Sequence, residues 1–243
     1  MEEIFDRNLL FLNKKRCVKD FANHNFLYNE VANRILENID SLDQKFENVL
    51  EIGGLNDYFK DKIKCKNFIG APDDENLVFK DESFDLIFSN LTFHFINQIP
   101  QFLLNIKRLL RPNGVFIASF LGEENLKELR HVLFEVENEF YGGISPRVAP
   151  TIDVKTAAHL LQKTGFLNPI SGIEKIEVEY SNPLNLLKDL KMMGQGNIIG
   201  KRSRKFMTKN LLSEISKKYQ KLYGNNQGNV IASFDVVTIM GKK

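Results

Sequence analysis

The chain has 243 residues, of which 43% are hydrophobic and 26% are charged, and its formal net charge is +2. These values are ordinary for one large folded domain, and they exclude a disordered, collagen-like or disulfide-rich chain. The small net charge argues against nucleic acid as a partner, and no apolar run approaches the roughly 18 residues that a transmembrane helix needs.

Hydrophobic periodicity predicts an alternation of helices and strands. Helices are predicted over 1–43, 100–110, 123–141, 153–164, 185–193 and 211–223, with a short helix compatible with 56–66. Strands are predicted over 49–52, 67–70, 83–89, 115–120, 175–180 and 230–240. This order favours an α/β fold, a parallel sheet with helices on both faces and an antiparallel edge formed by the late strands. We expect one domain, 1–243, with an N-terminal helical segment, 1–43, and a helical insertion, 181–227.

Candidate ligand-binding residues follow the first two predicted strands. In open α/β sheets ligands bind beyond the carboxyl ends of the strands. Glu51, Gly53 and Gly54 stand at the first such end, where glycine lets the backbone approach a ligand closely. Asp73 and Asp74 stand in the next loop, where carboxylates can accept hydrogen bonds from ribose or adenine groups. The alternatives are a plain turn and a polar surface loop.

Two further segments carry candidate residues. Ser89, Asn90 and His94 follow the third predicted strand, and a histidine that titrates near neutral pH suits proton transfer. A packed histidine beside aromatic residues is the alternative. Ser145 and Arg147 lie in a Gly- and Pro-containing loop that can form a substrate lid, since arginine can clamp a carboxylate or phosphate; a structural loop is the alternative.

The stretch Lys201–Lys221 is strongly basic. It holds eight basic residues against the single acid Glu214, a charge of +7, which leaves −5 for the rest of the chain. This stretch can bind an acidic carrier protein or another partner, or it can be a solvated helix face. The sequence contains no GxSxG, HExxH or GxxxxGK[ST] motif, which disfavours a serine hydrolase, a zincin and a P-loop NTPase.

No metal site, disulfide framework or targeting segment is expected. Cys17 and Cys65 are far apart and belong to no Cys/His cluster. The start, MEEIFDRN, lacks the basic and apolar regions of a signal peptide and is too acidic for a transit peptide. We therefore expect a bacterial cytoplasmic protein.

Three segments in this order resemble class I S-adenosylmethionine-dependent methyltransferases of the type 11 family. They are VLEIG at 49–53, LVFKDESFDLI at 77–87 and LLRPNGVF at 109–116. The resemblance implies a Rossmann-like sheet, a transferase activity and S-adenosylmethionine as cofactor. It implies that Asn90 and His94 lie near the point of transfer. The residues implied to lie near the cofactor are Glu51, Gly53, Gly54, Asp73, Asp74 and Ser89.

Further segments resemble one subgroup of that family. They are IFDR at 4–7, FHFIN at 93–97, GGISP at 142–146, HLL at 159–161 with GF at 165–166, and LKMMGQGN at 190–197. The subgroup contains a mitochondrial complex I assembly factor that acts as a protein-arginine hydroxylase. More distantly it contains the malonyl-carrier-protein methyltransferase of biotin synthesis. The closer resemblance implies an arginine on a respiratory complex I subunit as substrate, and the more distant one implies an acyl carrier protein.

The cofactor-binding half, 49–120, departs from the family pattern. Leu55 and Asp57 occupy two positions that are glycine in the family's acid-x-Gly-x-Gly-x-Gly motif. Only 31 steps separate Gly53 from Phe84, so we expect one crossover to be missing. The strand near 68–70 is then the family's second or third, and Asp73 or Asp74 is the ribose acid, the adenine-side acid, or neither. Two hypotheses follow: an active enzyme, or a non-catalytic assembly relative with a decayed cofactor site.

Overall fold

The computed structural model describes residues 3–203 and 207–243, and their contacts define two compact units. The sheet unit comprises Asn25–Gly122, Thr151–Glu174 and Val236–Lys243. The helical unit comprises the described parts of Met1–His24, Glu123–Pro150 and Lys175–Asp235. The predicted assignment of the whole chain to one domain stays a prediction.

The described residues form seven α-helices, two short 3-10 helices and six strands. The α-helices are α1 (Arg7–Cys17), α2 (Phe26–Asp40), α3 (Ile99–Leu109), α4 (Lys127–Tyr141), α5 (Val154–Lys163), α6 (Pro183–Met192) and α7 (Lys209–Tyr223). The 3-10 helices are Phe21–Asn23 and Phe93–Phe95. The strands are β1 (Asn48–Ile52), β2 (Asn67–Ala71), β3 (Phe84–Asn90), β4 (Leu110–Leu121), β5 (Leu167–Tyr180) and β6 (Val230–Lys242).

The strands form one sheet in the order β2-β1-β3-β4-β6-β5. The first four strands are mutually parallel, and β6 pairs with β4 in the antiparallel direction. A full doubly wound sheet has two strands outside its first strand, in the order 3-2-1-4-5-6. Here β2 alone lies outside β1, so it takes the place of the second strand and the outermost strand is absent from the described sheet. The predicted Rossmann-like α/β fold, shortened by one crossover, is confirmed.

One face of the sheet is closed by amphipathic helices. Every third or fourth residue of α3 is apolar and buried, as Phe102, Leu103 and Ile106 show. Leu161 of α5 packs in the same core cluster. Asp153 caps α5 by accepting hydrogen bonds from two free amides of its first turn. The core therefore packs α3 and α5 against the parallel strands, and loops follow the carboxyl ends of these strands.

The connections on either side of β2 contain no helix. The prediction that a short helix is compatible with 56–66 is wrong, since these residues form turns. Asn56 Oδ1 accepts a hydrogen bond from the Tyr58 amide, which competes with helix formation at this point. The segment is instead anchored by Phe59, which is buried and lies 4.6 Å from the Phe88 ring, measured between ring centroids.

The helical unit is built around packing of α4 against α7. Glu128 of α4 is buried, and its carboxylate accepts hydrogen bonds from the amide and hydroxyl groups of Ser233. The Tyr219 hydroxyl of α7 donates to the Ile231 carbonyl at 2.9 Å. These bonds satisfy polar groups that would be costly to bury alone. The predicted insertion 181–227 contains α6 and α7.

Candidate functional site

Three loops converge where β1, β2 and β3 end. Gly53 follows β1 with φ +75°, a left-handed conformation that glycine adopts freely. A Cβ on Gly53 would lie 2.8 Å from the Thr92 side chain and 3.1 Å from Cβ of Asp73. Thr92 follows β3 and Asp73 follows β2, so Gly53 is the residue against which both other loops pack. The backbone here therefore tolerates no side chain.

Glu51 is a buried acid at the end of β1. Its side chain bends back against Gly54. The Glu51 Oε1 atom lies only 2.5 Å from the position that a Cβ on Gly54 would occupy. Only 4% of the residue is exposed. Burial, and next the negative charge of Asp57, raise the pKa of Glu51 from 4.5 to about 7. Near neutral pH this carboxyl can therefore either donate or accept a hydrogen bond.

A groove of about 430 Å³ lies beside β2 and includes this acid. Its lining residues are Glu51, Gly54, Leu55, Asn56, Asp57, Lys60, Phe68, Gly70, Ala71 and Pro72. The lining thus combines two carboxyl groups, one ammonium group, an aromatic ring and the open surface of Gly70. This chemistry suits a ligand with several hydrogen-bonding groups and a flat part.

The two aspartates of the loop after β2 have different environments. Asp73 is half-buried and lies against Gly53. Asp74 is exposed, and its Oδ1 accepts a hydrogen bond from the Asn76 amide at 2.8 Å, which shapes the loop. Asp73 is therefore the better placed of the two to meet a ligand at the strand ends.

Ser89 and Asn90 complete β3, and both are buried. The Asn90 side chain is held from one side, since Nδ2 donates to the Tyr28 carbonyl of α2 at 3.0 Å. Its Oδ1 is buried and receives no hydrogen bond from any described residue. A buried acceptor without a partner is costly, so this oxygen is a candidate contact for a bound ligand.

His94 lies in the 3-10 helix that follows β3, and it is also buried. The Leu121 amide donates to Nδ1 of His94 at 3.4 Å, and the Phe95 ring centroid lies 4.1 Å from that of His94. An imidazole that accepts at Nδ1 carries its proton on Nε2.

Ser145 and Arg147 lie in the helical unit, where both bind Glu137 of α4. The Ser145 amide donates to Glu137 Oε2 at 2.8 Å. The Arg147 guanidinium approaches Glu137 Oε1 at 2.6 Å from Nε, and through a second nitrogen at 2.5 Å. Glu137 is 1% exposed. The guanidinium is thus already engaged by a buried carboxylate, and its predicted role in holding substrate stays a prediction.

The predicted basic stretch is partly neutralised by acids. Lys217 pairs with Glu214 at 2.7 Å, and Lys218 pairs with Glu135 at 3.2 Å and Glu139 at 2.7 Å. Arg204 and Lys205 of the stretch lie outside the described residues. The described lysines of α7 therefore present less free charge than the count of +7 indicates.

Three contributors to these contacts were not among the predicted residues. They are Thr92, the Tyr28 carbonyl and Glu137. A glycine-rich turn can be recognised in a sequence. A threonine or a backbone carbonyl that packs against such a turn cannot, because its position depends on the tertiary structure.

Across residues 3–203 and 207–243 the structure shows no group of three or more His, Cys, Asp or Glu side chains that could hold a metal ion. No helix in the same ranges has the length and apolarity needed to cross a membrane.

Comparison with known proteins defines the class. A profile of the family described as "Methyltransferase domain" matches residues 35–118, which run from α2 to β4. The chain is 36% identical to a protein of Rickettsia prowazekii named "Putative methyltransferase RP459", over 63% of this chain and 68% of that one. The solved structure of YcgJ from Bacillus subtilis superimposes with a TM-score of 0.53 at 13% identity, over 86% of this chain and 97% of that one. The chain belongs to the methyltransferase family that this profile and this relative represent.

A more specific similarity runs along nearly the whole chain. The mitochondrial arginine-hydroxylase NDUFAF5 of Dictyostelium discoideum is 33% identical over 98% of this chain. The match covers 65% of the Dictyostelium protein, so the chain spans less than two thirds of that relative. The predicted resemblance to this subgroup is confirmed.

Proposed function

We propose that the chain binds S-adenosylmethionine at the carboxyl ends of β1, β2 and β3 and acts on a subunit of respiratory complex I, by modifying an arginine or by assisting assembly. One observation carries the cofactor part of this proposal. Gly53 adopts a left-handed conformation in which Thr92 and Asp73 leave no room for a side chain. Such a turn lets the backbone approach a ligand closely.

The residues at these strand ends fit the cofactor. Asp73, beyond β2, would accept hydrogen bonds from the ribose hydroxyls, as an acid does in doubly wound folds. The unpaired Oδ1 of Asn90 would accept from an amino group of the cofactor. Glu51 and the adjoining groove would supply further hydrogen bonds. When bound, S-adenosylmethionine supplies a methyl group that an acceptor atom can attack.

The protein's own contribution to methyl transfer would be placement of the acceptor. Proximity and orientation can supply much of a rate enhancement without many reactive side chains. His94, buried in the 3-10 helix that follows β3, would contact the acceptor group and help to place it.

The second candidate is a non-catalytic assembly factor, and it also rests on an observation. Leu55 and Asp57 line the groove at two positions where the family has glycine. A branched side chain narrows the approach to the backbone, and a carboxylate adds negative charge beside Glu51. On this proposal the protein partner is retained while the cofactor is lost.

Calorimetric titration with S-adenosylmethionine separates the two candidates. The enzyme predicts micromolar binding, about −8 kcal/mol, that weakens at least about tenfold in Asp73→Ala. Asp74→Ala is the matched control, because that carboxylate shapes an exposed loop; it should leave the dissociation constant within about twofold. Absence of binding at millimolar cofactor would reject the enzyme and favour the assembly factor.

The protein partner needs a separate experiment. The purified chain, immobilised, would be offered solubilised complex I subunits and, separately, malonyl-loaded acyl carrier protein. Retention of a complex I subunit supports the proposal, and its arginines can then be examined by mass spectrometry. Retention of the carrier protein alone would replace it with the malonyl-carrier-protein methyltransferase of the more distant resemblance. The proposal places the protein in the bacterial cytoplasm, which fractionation would test.

A further inference from the structure

The outward face of α1 combines exposed apolar and basic side chains. We call Phe11, Leu12, Lys15, Arg16 and Lys19 the outer stripe. Residues four apart share one face of a helix, so Phe11 stands one turn before Lys15 and Leu12 one turn before Arg16. Phe11 is 63% exposed and Leu12 is 44% exposed, and the three basic residues are exposed as well. Lys19 lies just beyond the end of the helix.

The positive charge of the outer stripe is not neutralised within the described residues. Lys15, Arg16 and Lys19 form no salt bridge there, whereas Lys217 and Lys218 of α7 do. Basic residues at the end of a helix interact favourably with its dipole, which accounts for Lys15 and Arg16 in part. That interaction does not account for an exposed phenylalanine and leucine on the same face one turn earlier.

The neighbouring helix adds no compensating charge. Helix α6 packs against α1 and exposes Lys188 and Lys191. Its one acid, Asp189, approaches Nδ1 of His24 at 2.5 Å. Asp20, exposed after Lys19, is the one carboxylate in the sequence from Arg7 to Asp20. The local charge is therefore clearly positive, although the whole chain carries only +2.

We propose that the outer stripe docks an acidic amphipathic helix of a partner protein. Such a helix would place apolar residues on Phe11 and Leu12 and carboxylates on Lys15, Arg16 and Lys19. Helix recognition through residues three and four apart, with complementary charge, is a common mode of protein binding. This surface belongs to the helical unit, and its role is independent of cofactor binding by the sheet unit.

The arrangement of the stripe favours a protein over a membrane surface. A helix lying in a membrane interface separates apolar and charged residues across its axis, so that one long side enters the lipid. Here apolar and basic residues are not separated across the axis: Phe11 and Leu12 precede Lys15 and Arg16 on the same side, and Val18, 54% exposed, follows them before Lys19. A membrane deep enough to cover Phe11 and Leu12 would draw Lys15 and Arg16 towards the hydrocarbon.

The test uses a fluorescein-labelled, stapled helical peptide with two leucines in one turn and glutamates in the next two turns of the same face. A peptide of the same composition, with leucines and glutamates interleaved, is its control. Fluorescence anisotropy with the full chain should show at least about tenfold tighter binding of the segregated peptide, and the affinity should fall as salt rises.

Two variants and two matched controls locate the contact. Lys15→Glu with Arg16→Glu should weaken binding at least about tenfold, and Phe11→Ser with Leu12→Ser at least about fivefold. The control for the charge change is Lys217→Glu with Lys221→Glu, which changes the net charge by the same amount on α7. The control for the apolar change is Phe134→Ser, which removes an aromatic side chain that is 52% exposed on α4. Both controls should remain within about twofold of the unaltered chain.

Three outcomes would overturn the proposal. Equal binding of the two peptides would show that only total charge matters. An unchanged dissociation constant in the outer-stripe variants would place the contact elsewhere. The third outcome is that the peptide fails to bind but the chain sediments with vesicles containing about 30% phosphatidylglycerol. If the outer-stripe variants then no longer sedimented, the surface would be assigned to anionic lipid instead. Circular dichroism of each variant checks that the chain keeps its total helical content.

Discussion

The Glu51 carboxyl lies against Gly54, with Oε1 only 2.5 Å from the position that a Cβ on Gly54 would occupy. The acid that ends β1 is thus folded back over the turn that follows it. The same contact keeps this carboxyl away from water, and burial is the main reason why its pKa rises to about 7. A titratable group is therefore built into the wall of the groove beside β2.

The first prediction concerns the pH dependence of stability. Because the folded pKa of Glu51, about 7, exceeds its ordinary value of 4.5, the folded protein binds this proton more tightly than the unfolded chain. Its contribution to stability is present below about pH 4.5 and is lost as pH rises to about 7. We expect Glu51→Gln to raise the free energy of unfolding at pH 8 by up to about 3 kcal/mol and to change it little at pH 5.

Urea denaturation at both pH values checks this prediction. Asp61→Asn removes an exposed carboxylate of the same segment and is the matched control, with an expected change below about 0.5 kcal/mol at either pH. An equal effect of Glu51→Gln at pH 5 and pH 8 would contradict the raised pKa.

The second prediction concerns Gly53. Alanine there must adopt φ +75°, which costs about 1–2 kcal/mol, and its Cβ would also collide with Thr92. We expect Gly53→Ala to lower the free energy of unfolding by at least about 2 kcal/mol and to abolish cofactor binding. Gly142→Ala shares a left-handed φ of +61° but meets no atom within 4 Å, so it should cost only about 1 kcal/mol. Similar losses in the two variants would contradict the close packing at Gly53.

The third prediction concerns the pair of Glu137 and Arg147. Removal of one partner of a buried ion pair leaves the other charge without compensation. We expect Arg147→Ala and Glu137→Ala each to lower the free energy of unfolding by about 3 kcal/mol. Glu214→Ala, which breaks the exposed pair with Lys217, should cost less than about 1 kcal/mol. If Arg147→Ala instead left stability unchanged and weakened binding of a protein substrate, the predicted substrate role of Arg147 would be supported.

Much of the fold could be predicted because its signals are local. The apolar run at 49–52 ends in Gly53-Gly54, and β1 ends at Ile52. Asp153 stands at the start of the helix predicted from the apolar pattern, and it caps α5. The missing crossover was visible as a short count of residues between Gly53 and Phe84. Which strand had been lost was not visible, because strand order depends on pairing between segments that are distant in sequence.

The site could be predicted only in part, for a related reason. The sequence points to glycines and acids at strand ends, but it does not show which of Asp73 and Asp74 turns inward. Burial raises the pKa of Glu51, and the segment that follows β1 includes 56–66, where the sequence is compatible with a helix but the structure forms turns. The engagement of Arg147 by Glu137 is a tertiary contact, and the loop sequence alone gives no sign of it.

The last prediction separates stability from binding at Asn90. Its Nδ2 donates to the Tyr28 carbonyl, and loss of this hydrogen bond should cost about 1 kcal/mol. Removal of the buried, unpaired Oδ1 relieves a desolvation cost of about 1–3 kcal/mol. We therefore expect Asn90→Ala to change the free energy of unfolding by less than about 1 kcal/mol while the dissociation constant for S-adenosylmethionine rises at least about tenfold. Asn105→Ala is the matched control, since its Nδ2 also donates to a backbone carbonyl, that of Leu77. Denaturation and calorimetry on the two variants should show comparable stability but weakened cofactor binding in Asn90→Ala alone. An affinity equal to that of the unaltered chain would mean that Oδ1 of Asn90 does not face the cofactor.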